Sequence, residues 1–509
     1  MSSSAPQSQA SMLATITTDL DKIAPRFEIP PEQIEILKTP AEFYETLKDK
    51  ILKAQTRIYL STLYIGKTEH ELITTIRTAL QHNPNLRISF LTDALRGTRE
   101  TPNPSCASLL APLISEFGSR VEVRMFHTPN LTGVRKRLVP KRVNEGWGLQ
   151  HMKLYGIDNE LIISGANLSN DYFTNRQDRY HLFRSAELTS YFSKIHTGVC
   201  ALSFDIQPAS TQAGYTMTWP PINPAPSPLK SPTAFKKAAS KLLTPLLTPS
   251  NSPPPLASAS RSTTTIYPIL SLVPLLQSST ELPAITTLLT ALCRPPLQNS
   301  SWTFTAGYFN MTPSFRRLLL ATRPAAGTVL TAHPHANGFY GSKGVSGMLP
   351  DAYTHLAKMF LRRVRYEGLD GAIQLREWKK GRVGEEGGWT YHAKGLWATF
   401  PAASASAASE SGSSKAASAS ETGTKEDYPS LTVVGSSNYT KRSYELDLEA
   451  NVIIATADAG LRKRLGEEVK WLGEYAKPVD ETEFEKPERK VSVGVRLSMW
   501  LVRVLGGAL

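Results

Sequence analysis

Two short stretches of this 509-residue chain carry the residue types of phosphoryl chemistry, and the second repeats the first. The first reads Gln150-His151-Met152-Lys153-Leu154-Tyr155-Gly156-Ile157-Asp158, followed by Ile162-Ile163-Ser164-Gly165-Ala166-Asn167. The second reads Tyr391-His392-Ala393-Lys394-Gly395-Leu396-Trp397, followed by Val433-Val434-Gly435-Ser436-Ser437-Asn438. Each copy holds His-x-Lys, an apolar strand and a small-residue turn that ends in Asn. A carboxylate then follows at equal spacing: Asp178 lies eleven residues after Asn167, and Glu449 eleven after Asn438.

In a strand, residues i and i+2 share a face, so the His and Lys of each pair project together. Two lysines, two asparagines and two small-residue turns make a positively charged pocket with amide donors and no bulky obstruction. Such a pocket suits the non-bridging oxygens of a phosphodiester, above all in a five-coordinate transition state. One imidazole can attack phosphorus and the other can protonate the leaving group, with a carboxylate on the far ring nitrogen fixing each tautomer. The lysines occupy the role that a metal plays in many phosphoryl-transfer enzymes, so the pattern demands neither metal nor other cofactor. The second motif has Thr399 where the first has Asp158. Asp158 belongs with the candidate residues by position, but the equal Asn-to-acid spacing favours Asp178 and Glu449 as the working carboxylates and a capping role for Asp158.

Strands and helices alternate around these motifs. Ala41 to Ala54 reads as an amphipathic helix, Arg57 to Tyr64 as a strand, Glu71 to Gln81 as a helix and Leu86 to Thr92 as a strand. Helix at Ala107 to Phe117 and strand at Val121 to Phe126 follow. The pattern resumes with an apolar helix over Leu270 to Leu292, a strand at Ser301 to Tyr308, a helix at Pro313 to Ala321 and a strand at Thr328 to Ala332. The expected architecture is therefore α/β, as two halves related by a pseudo-twofold around one composite site. Residues 1–26 read as a disordered leader or targeting segment, 27–215 as the first half and 263–478 as the second. Between them, 216–262 reads as a linker, with eleven prolines between Pro220 and Pro255. Ala402 to Thr424 reads as a disordered insertion and 479–509 as a C-terminal amphipathic segment.

The first motif, His151-x-Lys153-x4-Asp158 with its Gly165-Ala166-Asn167 turn, resembles the phospholipase D superfamily, whose members carry two such motifs. Ser164 to Ser169, Tyr172 to Tyr180, Tyr391 to Trp397, and Arg442-Ser443 through Asp447-Leu448-Glu449-Ala450 are similar to eukaryotic phosphatidylglycerophosphate synthases. The resemblance covers most of residues 40–475 and implies a transfer of the phosphatidyl group from CDP-diacylglycerol to glycerol 3-phosphate. It implies His151 as the nucleophile that forms a phosphatidyl-histidine, and His392 as acid and then base. Lys153, Lys394, Asn167 and Asn438 would hold phosphoryl oxygens, while Asp178 and Glu449 orient the imidazoles. It also implies a mitochondrial location at the inner-membrane surface, which the leader itself does not display.

Weaker signals surround this core. Lys+Arg exceed Asp+Glu by 57 to 44, for a net charge of +13, which favours an anionic partner. That surplus alone admits a nuclease acting on nucleic-acid ends or a non-catalytic lipid-binding relative. The sequence around Asn167 to Tyr180 and the lack of an aromatic-plus-basic track argue against nucleic acid. Arg96 and Arg99, Arg135, Lys136 and Arg137 within a basic run from Gly133 to Arg142, and Ser436 are candidate substrate contacts. Arg496, Trp500 and Arg503 in the C-terminal segment are candidate contacts to an anionic membrane surface. Ser61 to Thr68 ends in Gly66-Lys67-Thr68, but Ser61 stands where an ATP-binding loop has its leading glycine, so ATP is not expected. No run of about twenty apolar residues exists. Cys106, Cys200 and Cys293 fit neither a zinc site nor a disulfide framework.

Overall fold

A computed structural model describes residues 8–141, 143–249, 264–276, 279–401 and 427–504. Two nine-stranded mixed sheets form its frame. The first runs, edge to edge, Tyr215–Thr218, Phe204–Pro208, Val121–Phe126, Arg87–Asp93, Arg57–Ser61, Leu154–Ile157, Glu160–Ser164, Tyr180–Arg184 and Ile34–Leu37. The second runs Phe27–Ile29, Thr264–Ser271, Glu449–Thr456, Leu431–Gly435, Lys394–Thr399, Ser301–Ala306, Gly327–Ala332, Ile373–Trp378 and Ala476–Val479. Each contains three adjacent parallel strands, beginning at Arg57 and Ser301 respectively, flanked by antiparallel ones. In both sheets the strand that follows the His-x-Lys pair lies next to the first of those parallel strands. The repeat in sequence is thus a repeat in topology, and helices cover the sheet faces as parallel strands require.

Four expectations are corrected. The N-terminal segment is not an unstructured leader throughout: Gln9–Leu20 is a helix capped by Ser8, and Met12, Leu13, Ile16 and Leu20 are buried on one face. That face joins the core of the second half, beside Tyr267, Ile285 and Leu288. Phe27–Ile29, assigned by sequence to the first half, pairs with Thr264–Ile266 in the second sheet. Within the proline-rich region Pro232–Leu247 is a helix, and Phe235, Ala239, Leu243 and Leu247 bury a stripe at spacing four. Pro232 sits in its first turn, where a missing N–H costs nothing. Finally, Leu270 to Leu292 is not one helix. Thr264–Ser271 is a fully buried strand and the helix is Glu281–Leu292. A short apolar run reads equally well as either element. Pro268 is tolerated in that strand because the neighbouring Phe27–Ile29 strand pairs only as far as Ile266. The expected insertion at 402–424 lies outside the described residues.

The halves are locked across their junction by Arg179. Its guanidinium meets both carboxylate oxygens of Glu468 at 2.8 Å, donates to Val433 O and Thr432 Oγ1, and lies 3.8 Å above the Trp397 ring. His181 Nε2 shares Glu468 at 2.9 Å. All five side chains are buried; burial resists ionisation of Glu468, but Arg179 and His181 outweigh it and hold that carboxyl below its ordinary range. Breaking one partner of such a pair would strand a buried charge. Gly395 makes room for the guanidinium, which any Cβ at that position would strike.

Candidate active site

The two histidines are set where the halves meet. The backbone at Gln150 pairs in parallel with Leu448, and Thr390–Tyr391 pairs in parallel with Arg176–Gln177. His151 N donates to Leu448 O at 2.9 Å, and His392 N donates to Gln177 O at 2.8 Å. The residues that follow Leu448 and Gln177 are the two acids, so each docking hands one half's histidine the other half's carboxylate. His151 Nδ1 lies 2.9 Å from Glu449 Oε2, and His392 Nδ1 lies 2.6 Å from Asp178 Oδ2. A carboxylate on Nδ1 turns Nε2 toward the pocket and favours its basic tautomer.

The lysines differ in their bonds. Lys394 Nζ is 3.1 Å from Asp178 Oδ2 and 2.8 Å from His392 Nδ1, whereas Lys153 Nζ donates to His151 O at 2.7 Å. Gly165 makes the first arrangement possible, because a Cβ there would collide with Lys394 Nζ and the Asp178 carboxylate. Asn167 Nδ2 donates to the Tyr172 hydroxyl at 3.2 Å, and that hydroxyl stands 3.4 Å from His392 Nε2. Asn438 N donates to Ser443 Oγ, while its side-chain oxygen is buried with no partner among the described residues.

Burial governs the electrostatics. It pushes Lys153 down to about 7, with Lys394 adding to the effect and Glu449 opposing it. It pushes Glu449 up to about 7 against the pull of Lys153. Burial and then Lys394 bring His392 down to about 3, and burial and then Lys153 hold His151 well below its usual value. Burial resists ionisation of Asp178 as well, but Lys394 and His392 outweigh it and keep that carboxyl below the ordinary range. Burial therefore favours the neutral form of both imidazoles.

No family model matches the sequence, but whole proteins do. The chain is 44% identical over 505 residues to the CDP-diacylglycerol–glycerol-3-phosphate 3-phosphatidyltransferase of Saccharomyces cerevisiae, covering 98% of this chain and 93% of that one. It is 38% identical to the Schizosaccharomyces pombe enzyme of the same name, covering 94% and 96%. The chain belongs to the CDP-diacylglycerol–glycerol-3-phosphate 3-phosphatidyltransferase family. The human relative, named mitochondrial, is 32% identical over 94% of this chain and 84% of its own. A phosphatidylserine synthase of Haemophilus influenzae Rd KW20 shares the fold, with a TM-score of 0.70 at 19% identity over 97% of this chain and 98% of that one.

Several sequence-derived candidates of this phosphatidyltransferase lie elsewhere or are already engaged. Asp158 sits at the far end of its strand with a positive φ. Its carboxylate accepts from Gln55 N, Thr56 N, Thr56 Oγ1 and Arg57 N at 2.7–3.0 Å. It is a backbone cap, and those bonds outweigh its partial burial to hold its carboxyl below the usual range. Ser436 faces Glu449, to which its hydroxyl donates at 2.5 Å. Arg96 lies 4.1 Å over the Tyr64 ring and pairs with Glu100 at 3.1 Å, and Arg99 pairs with Glu145, so neither offers an unneutralised cation. Arg135 lines a cavity of about 610 Å³ with Pro129, Asn130, Thr132, Trp147 and Leu446. Lys136 is partly buried, which lowers its pKa, and Arg137 is exposed. Arg142, last of the basic run, lies outside the described residues. Arg496 and Trp500 are exposed on the helix Val493–Val504. The side chain of Arg503 lies outside the described residues.

Sequence reasoning missed Arg176, Tyr172 and Tyr308. The Tyr172 and Tyr308 rings stand edge-on to the His392 ring at 5.2 and 5.1 Å between centroids. Arg176 lies 4.6 Å over the Tyr172 ring. The available signal was the strand period, since Arg176 precedes Asp178 by two residues. Within Ser61–Thr68, Thr62 N, Ile65 N and Gly66 N donate to Leu91 O, Cys106 Sγ and Leu168 O. Among the described residues no group of His, Cys, Asp and Glu could hold a metal ion.

Proposed function

We propose that this chain transfers the phosphatidyl group of CDP-diacylglycerol to glycerol 3-phosphate through a phosphatidyl-His151 intermediate, releasing CMP and phosphatidylglycerophosphate. The crossed His–carboxylate pairs carry the reading. His151 is the more open of the two: its side chain is 11% exposed against 4% for His392, and Tyr172 stands in front of the latter's Nε2. His151 Nε2 attacks the lipid-bearing phosphorus, the P–N bond forms, and the P–O bond to CMP breaks. His392 supplies the proton for the departing CMP. It then takes the proton of the acceptor hydroxyl as that oxygen attacks phosphorus and the P–N bond breaks. Burial favours neutral imidazoles, which leaves His151 ready as a nucleophile. The anionic pyrophosphate, on arriving beside His392, supplies the counter-charge that the imidazole needs to hold a proton. Lys153 and Lys394 stabilise charge on the phosphoryl oxygens, and Asn167 and Asn438 complete the cradle.

The lipid is met at a membrane surface. No helix among the described residues is long and apolar enough to cross a membrane. The short helix Gly133–Leu138 presents Val134 and Leu138 to solvent among Arg135, Lys136 and Arg137, at the rim of the Arg135-lined cavity. Val493, Leu497 and Trp500 form an exposed apolar stripe on the C-terminal helix. Both fit an interfacial contact with anionic lipid. The mitochondrial names of the vertebrate relatives support the same compartment here.

The direct test incubates the protein with CDP-diacylglycerol and glycerol 3-phosphate and follows CMP and lipid product. Wild type releases both, His151→Ala neither, and donor lipid alone leaves an acid-labile label on His151. Absence of CMP release from wild type refutes the reading.

A further inference from the structure

The two ends of the site match in their imidazoles and differ two residues before each carboxylate. Counting back from Glu449 gives Asp447, and from Asp178 gives Arg176. Asp447 is engaged: it accepts from Leu149 N at 2.9 Å and pairs with Arg442 at 3.2 Å. Arg176 brings a largely buried cation to the His392 end, its side chain 12% exposed. Its Nε donates to Thr390 Oγ1 at 2.9 Å, and its Nη2 is 3.0 Å from Asp171 Oδ2, a carboxylate more than half exposed. Tyr172 lies between this guanidinium and the catalytic imidazole, under the first at 4.6 Å and edge-on to the second at 5.2 Å. The residue five after the other motif's asparagine is Ser443, which bonds Asn438 N and places no ring before His151.

We propose that Arg176 is a specificity-determining residue that binds the phosphate of the acceptor while the acceptor's hydroxyl meets His392. The proposal rests on the reading of His392 as the acceptor-side base. A three-carbon polyol phosphate carries its phosphate and its far hydroxyl one short chain apart, which suits a guanidinium and an imidazole separated by a single ring. Stacking on Tyr172 and the bond to Thr390 hold the guanidinium fork in one orientation, and a phosphate dianion can take it bidentately. Asp171, being exposed, serves as the counter-ion that the dianion displaces. A polyol without phosphate would leave this largely buried cation with only that solvent-facing counter-ion, so the site selects against it.

Steady-state and pre-steady-state kinetics of Arg176→Gln and Arg176→Lys test the assignment. Arg176→Gln is expected to raise the KM for glycerol 3-phosphate roughly tenfold or more. The CMP burst from donor alone and the donor KM should stay within about twofold of wild type, a split that loss of folding would not produce. Arg176→Lys is expected to recover part of the acceptor affinity, and in Arg176→Gln the preference for glycerol 3-phosphate over glycerol should shrink by a similar factor. An unchanged acceptor KM, or a burst that falls in step with acceptor use, overturns the inference. A wild type that gives no CMP burst removes the underlying reading of the two histidines as well.

Discussion

Because each imidazole takes its carboxylate from the opposite half, the two acids should fail in different steps. Glu449 holds His151 Nδ1 with both oxygens, at 2.9 and 3.0 Å, and is itself held by Ser436. Glu449→Gln keeps the shape and removes the charge that stabilises His151 as its Nε2 bonds to phosphorus. A hydrogen bond to a charged partner contributes roughly 1.5–3 kcal/mol, or about 10- to 150-fold in rate. That loss should appear in the CMP burst when enzyme and CDP-diacylglycerol are mixed without acceptor. Asp178→Asn strips the charge from His392 and also frees Lys394. CMP is a phosphate monoester that departs with little help, whereas the glycerol hydroxyl must be deprotonated. Asp178→Asn should therefore slow transfer far more than the burst, and labelled phosphatidyl-enzyme should accumulate. Rapid-quench CMP release and retention of donor label on the protein separate the two. If Glu449→Gln leaves the burst rate at wild type, or the two variants exchange phenotypes, the crossed arrangement is refuted.

Asp158→Asn should leave kcat unchanged, yet weaken a cap of four hydrogen bonds by about 1–3 kcal/mol, seen as a Tm lower by a few degrees. Lys153, pushed down to about 7, loses its charge as pH rises through that value, while Glu449, pushed up to about 7, gains one. Both changes make the site less positive, so the donor KM should rise across neutrality and flatten in Lys153→Arg; a pH-independent wild-type KM contradicts this. Val134→Ser with Leu138→Ser removes two exposed aliphatic contacts worth roughly 1.5–3 kcal/mol each if buried in lipid. Flotation with anionic vesicles should weaken while turnover of a short-chain, water-soluble donor persists, and unchanged flotation counts against that surface.

The candidate site was legible because its residues occur twice: one His-x-Lys is weak, but two with equal Asn-to-acid spacing point to one shared place. Which acid serves which histidine was not legible, since spacing along the chain does not reveal that Leu448 docks on Gln150 and Gln177 on Tyr391. Arg176 was hidden for a related reason, as its neighbours Thr390 and Gly338 come from the other half. In the fold, composition misled where it outweighed periodicity. The prolines of 216–262 concealed the spacing of Phe235, Ala239, Leu243 and Leu247, and the Ser/Thr-rich start concealed Met12, Ile16 and Leu20. Thr264–Ser271 was ambiguous in kind, because burial on both faces erases the alternation that marks a strand.

The exchange of carboxylates between halves also bears on how the chain is made. During synthesis the first half emerges with His151 and Lys153 in place but with no acid behind the imidazole, since Glu449 lies 298 residues further on. An unfinished or half-folded chain thus holds a histidine that cannot settle into its reactive tautomer. On the proposed mechanism, competence arrives only when the Glu449–Thr456 strand of the second half has brought its carboxylate to His151.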